Sequence, residues 1–73
     1  MNAPVAQFSA VLRKLREERG LSQEQLAERA DLNRSYLGEV ERGHAIPSLI
    51  TLSKLAGALE IRLSSFIERC EHH

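Results

Sequence analysis

Apolar positions along the chain recur at intervals of three and four residues, the period of a helix buried on one side, and nowhere alternate in twos for long. Phe8, Val11, Leu12 and Leu15 make the first stripe, and Gly20 after Arg19 supplies a stop, which predicts a helix over Ala6 to Arg19. Ser22 with Gln25 three residues later has capping-box spacing, so a second helix is expected from Gln23 to about Ala30. Asn33 is a good N-cap, and Leu37 and Val40 share a face ahead of Gly43, giving a third helix from Arg34 to Arg42. Pro47 and Ser48 open a fourth helix striped by Leu49, Leu52, Leu55, Ala56 and Leu59. Leu63, Phe66, Ile67 and Cys70 mark a shorter fifth. With β-branched residues scattered, strands find no support, and the chain is read as all-α, a compact five-helix bundle.

At 73 residues the chain suits a single domain over residues 1–73, too short for a fused effector-sensing or catalytic domain. A domain of this size hides only about 60% of the surface its unfolded chain exposes, so self-association is expected and a deep substrate cavity is not. Ten Lys and Arg balance ten Asp and Glu, so any attraction to nucleic acid must come from where the charges sit. Cys70 is the single cysteine and has no partner for an internal disulfide. No apolar run approaches the length of a membrane span and no secretory signal is readable, so no membrane partner is expected. Residues 71–73 end in a His pair that resembles a tail or tag remnant and are set aside. There is no nucleophile-base-acid set, no glycine-rich phosphate loop and no metal-ligand spacing, so neither an enzyme nor a cofactor or metal site is expected.

Only Asp31, Leu32 and Asn33 separate the second and third helices, a spacing compatible with a helix-turn-helix over about residues 22–42. Small Ala27 lets the two backbones approach, and Asp31 stands where the chain must turn, being one of the few non-glycine residues that visit left-handed angles. Leu21-Ser22-Gln23-Glu24-Gln25-Leu26-Ala27, Tyr36-Leu37, Val40-Glu41-Arg42-Gly43, Pro47-Ser48-Leu49 and Leu55-Ala56 together resemble the Cro and lambda-repressor type of helix-turn-helix domain, the XRE family. Its single-domain form is similar to the controller proteins of restriction-modification systems. The resemblance spans about Leu12 to Phe66 and departs from the family pattern at Asp31, usually Gly, and at Glu60, commonly Gly or Asn.

The resemblance implies a sequence-specific regulator of transcription that lays residues 34–42 in the major groove of an operator, a bacterial or phage protein of the cytoplasm. Helical stepping puts Arg34, Ser35, Gly38, Glu39 and Arg42 opposite Leu37 and Val40. Arg34 is the leading candidate for base contact, since a guanidinium donates two hydrogen bonds to the O6 and N7 of guanine; Ser35 and Glu39 are the other base candidates. Gln23, Asn33, Tyr36, Arg42 and His44 are candidates for the DNA backbone. The resemblance further implies that Gln23 braces the start of the third helix and that Arg16 pairs with Glu41 in a structural, partly buried ion pair.

One such domain covers few base pairs, so a homodimer on a two-fold symmetric double-stranded operator is expected, with Ile50, Ile67 and Cys70 as its interface. The competing class is a protein-interaction module of the same fold, an antitoxin or adaptor, because fold alone does not settle function.

Overall fold

The computed structural model describes residues 3–72, with side chains from residue 7 onward. Among them are five helices and no strands: α1 (Ala3–Glu18), α2 (Gln23–Arg29), α3 (Arg34–Glu41), α4 (Leu49–Ala58) and α5 (Leu63–Glu71). Ser22 caps α2 with both halves of the capping box, Asn33 Oδ1 caps α3 by accepting from the Ser35 and Tyr36 N–H groups, and Ser48 caps α4 by accepting from the Thr51 N–H.

The helix stops share one chemistry. After α1, α2, α3 and α4 the next residues take positive φ, at Gly20 (68°), Asp31 (55°), Gly43 (77°) and Glu60 (59°). The residue after each donates back across the helix end: Leu21 to Arg16, Leu32 to Ala27, His44 to Glu39 and Ile61 to Ala56. This is the Schellman arrangement, in which an apolar residue beyond the stop usually packs on the last turn. Leu21 is buried and Leu32 and Ile61 are half-buried against the core, as that pattern requires. His44 is the exception, and its ring turns to the Glu39 side chain instead.

The core draws on every helix: Val11, Leu12 and Leu15 from α1, Leu26 and Ala27 from α2, Leu37 and Val40 from α3, Leu55 and Ala56 from α4, and Phe66 from α5. Phe8 stacks on Phe66 with ring centroids 5.3 Å apart, tying α1 to α5. Polar ties to backbone carbonyls also cross the bundle: the Ser9 hydroxyl donates to the Val40 carbonyl at 2.9 Å inside the core, and Arg19 Nε donates to the Leu59 carbonyl at 2.8 Å.

Several boundaries differ from those read along the sequence. Helix α1 starts at Ala3 rather than Ala6, because Pro4 falls in the first turn, where a missing N–H leaves no ladder bond unmade. Ala30 and Arg42 are C-caps rather than helical residues. Pro47 lies outside α4, and Leu49 in its first turn is exposed rather than part of the core stripe. Periodicity identifies a face but not how far along it the neighbouring helices reach. Glu71 and His72, set aside as a tail, are the last helical residue and the C-cap of α5; His73 lies outside the described residues.

Glu60 holds a left-handed conformation that costs a side chain about 1–2 kcal/mol. Glu60→Gly is therefore expected to raise stability by about 0.5–1 kcal/mol once glycine's extra unfolded-state freedom is subtracted. An unchanged or lower urea midpoint would contradict it.

Candidate nucleic-acid interface

One carboxylate ties the end of α3 to α1 and to the start of α2. Glu41, the last residue of α3, has a side chain only 3% exposed and lies against Arg16 of α1, itself 13% exposed. Arg16 Nε donates to Glu41 Oε2 at 2.7 Å and Nη2 donates to Oε1 at 3.1 Å, a two-pronged pairing. The remaining prong, Nη1, donates to the Leu21 carbonyl at 2.9 Å, so the same guanidinium also fixes the residue leading into α2. The Glu41 hydrogen bond, more than charge attraction, raises the Arg16 pKa above its ordinary value against the opposing effect of burial.

Gln23 joins this network, with Nε2 donating to Glu41 Oε1 at 3.1 Å. Gln23 thus braces the end of α3, not its start as the family resemblance implied; Asn33 caps the start. The pairing fixes the orientation of the amide, because a carboxylate can only accept. The second amide hydrogen has no partner among the described residues. Asn33 is in a comparable position: its oxygen caps α3, and no bond within the described residues takes its NH₂.

The outward side of α3 and the start of α2 line a shallow polar concavity formed by Gln23, Arg34, Ser35, Gly38, Glu39 and Arg42. Arg34 and Ser35 are exposed at its N-terminal end, and among the described residues Arg34 has no ion pair or hydrogen-bond partner. The C-terminal end differs from a row of independent contacts. Arg42 Nη2 pairs with Glu39 Oε1 at 2.9 Å, and His44 Nδ1 lies 3.2 Å from Glu39 Oε2. Three side chains expected to act separately therefore form one cluster. Gly38 is buried rather than open, because the Arg42 guanidinium lies over it; a Cβ there would stand 3.2 Å from Arg42 Nη1. The Arg42 hydrogen bond, followed by charge attraction to Arg42, holds the Glu39 carboxyl below the usual glutamate range. The cluster accordingly favours the folded form above that range, and the contribution fades as pH falls through the lowered value. The Tyr36 ring is half-buried against the core, at the rim of this face.

Of the residues expected at a dimer interface, Ile50 is 72% exposed and Ile67 39%. Cys70 is half-buried against the core, and burial pushes its thiol pKa up. Sequence reasoning missed Ile46 and Leu49, which are exposed beside Ile50 at the entry to α4. An isoleucine next to a proline in a predicted loop was the available signal for Ile46.

A family model described as helix-turn-helix matches residues 12–66. The immunity repressor protein of Bacillus phage phi105 is 50% identical over 56 residues, which are 77% of this chain and 39% of that protein. The chain spans only about a third to a half of the first curated relatives it matches. Among solved structures, the restriction-modification controller protein C.AhdI from Aeromonas hydrophila has 46% identity and a TM-score of 0.85, covering 89% of this chain and 98% of that one. The controller protein C.Esp1396I, solved as a tetramer in complex with its natural 35 base-pair operator, has 28% identity and a TM-score of 0.91, covering 99% and 95%.

Removing one partner of a buried ion pair strands the other, at about 3–5 kcal/mol. Glu41→Ala is expected at the lower end of that range, about 3 kcal/mol, because Arg16 keeps the Leu21 carbonyl and some access to water. A urea melt that matches the unaltered protein would make the pair a surface accident.

Proposed function

The chain belongs to the helix-turn-helix family, and from that premise we propose that it is a sequence-specific regulator of transcription. It binds a double-stranded DNA operator as a homodimer, with α3 in the major groove. The observation that carries this reading is the state of Arg34, exposed at the N-terminal end of α3 with no competing partner among the described residues. A helix-turn-helix reads base edges from that end of its second helix, and an unpaired guanidinium is free to make the two-pronged contact with guanine. Ser35 lies beside it as a less selective base contact, and Glu39 is the acid available to a base amine. In this reading Gln23, Asn33, Tyr36, Arg42 and His44 contact the DNA backbone, which the donor left over on each of the two amides supports. The relatives favour the same reading: one is named as an immunity repressor, another as a controller protein, and a third was solved on its operator. The first of these comes from a phage and the second from a bacterium, which agrees with a site of action in the cytoplasm.

Two copies follow from size. The bundle measures at most 27 Å across, whereas successive major-groove half-sites are about 34 Å apart. One copy therefore reads one half-site, and two-fold pairing through the exposed Ile46, Leu49, Ile50 and Ile67 supplies the second. The same apolar residues would serve an antitoxin or adaptor, for which the outward face of α3 would be irrelevant.

Selection of bound duplexes from a randomised pool at near-physiological salt tests the reading. Enrichment of a two-fold symmetric site, with about 1–3 kcal/mol of discrimination at one position lost in Arg34→Ala, is expected. No enrichment would remove sequence-specific regulation as the function. Sedimentation of Ile50→Glu is expected to show monomer at concentrations where the unaltered protein is dimeric, and a concentration-independent monomer in both would exclude the homodimer.

A further inference from the structure

Glu39 is the outward-facing acid of α3, and each of its carboxylate oxygens has its own partner, Oε1 with Arg42 and Oε2 with His44. All three side chains are about half exposed, so water and an approaching polyanion reach them. The backbone keeps them in register, because the His44 N–H donates to the Glu39 carbonyl at 2.8 Å in the stop that ends α3. The bare backbone of Gly38 gives the guanidinium its resting place. At the other end of the same concavity Arg34 has no such partner among the described residues, so the two arginines of α3 and its cap meet DNA in different states.

An exposed ion pair is weak and yields when something better is offered to both halves. On an arbitrary duplex a phosphate can take Arg42, but the Glu39 carboxylate is then left among phosphates with no compensating donor. On a duplex that presents a base amine in the major groove, Glu39 accepts from that amine while Arg42 turns to the backbone, and neither charge is stranded. We propose that Glu39, Arg42 and His44 form a latch that makes the Arg42 phosphate contact conditional on sequence, with Glu39 setting specificity by rejecting sites that lack the amine. This rests on the regulator reading above. It makes Arg42 and His44 positioning residues for Glu39 in the free protein, and it gives a chain with no net charge a way to limit binding to arbitrary DNA while keeping a phosphate contact for its operator.

Titrations against the selected operator and a random duplex over a range of salt test the latch, with Glu71→Gln as a control for the loss of one exposed negative charge. Glu39→Gln releases Arg42, and one added phosphate contact steepens the slope of log K against log salt by about 0.9, or roughly eightfold tighter random-duplex binding at about 0.1 M. Operator affinity is expected to gain less, so the ratio of specific to random binding falls, and the gain disappears in Glu39→Gln/Arg42→Ala. Random-duplex binding no different from Glu71→Gln would overturn the proposal. So would a loss confined to the operator, which would make Glu39 an ordinary base contact. If the unaltered protein bound no duplex at any salt, the regulator reading itself would fail, and elution from heparin would decide the latch: Glu39→Gln eluting later than Glu71→Gln supports it, and coincident elution overturns it.

Discussion

A carboxylate withdrawn from water has to be both neutralised and hydrogen-bonded, and Glu41 places that demand where α1, α2 and α3 meet. Arg16 meets it with two prongs and uses its third on the Leu21 carbonyl, while Gln23 adds a donor from the first position of α2. These bonds fix distances and directions that apolar packing leaves loose, because a guanidinium and a carboxylate fit in few geometries. The angle between α2 and α3, and with it the presentation of Arg34 and Ser35, depends on this junction. Desolvation offsets much of the attraction in a buried pair, so the larger penalty comes from removing one partner and stranding the other.

The same junction alters the electrostatics of the outward face of α3. With Glu41 turned inward, the outward side of α3 and its cap carry Arg34, Arg42 and Glu39, and Glu39 is bonded to Arg42. A zero formal charge for the whole chain therefore coexists, among the described residues, with a cation at the N-terminal end of α3 that has no ion-pair partner. Charge totals speak to solubility and encounter; the site is governed by which charges are already paired.

Helix stops also shape this face. Three of the four Schellman stops use an apolar residue beyond the turn to pin the chain to the core, at Leu21, Leu32 and Ile61. The stop of α3 has His44 there, so the chain leaves α3 polar and exposed, and the side chain is available to Glu39. An apolar residue at that place would have anchored the turn and removed one member of the cluster.

Much was legible along the chain because it is local. Periodicity found the buried face of each helix, and Ser22, Asn33 and Gly43 marked helix ends through bonds that span only a few residues. Asp31 at the left-handed turn was legible for the same reason. The family resemblance supplied the Arg16 and Glu41 pair, which spacing could not have found, since the two are 25 residues apart. Other features were decided only by the fold. The Ser9 and Arg19 bonds to distant carbonyls, the exposure of Leu49, the burial of Gly38 under a guanidinium and the attachment of Gln23 to the far end of α3 depend on where helices lie relative to one another. A side chain's own sequence neighbourhood determines its helix and its face. Which partner it meets, and whether its charge is free or already taken, is set by the elements the tertiary structure brings beside it.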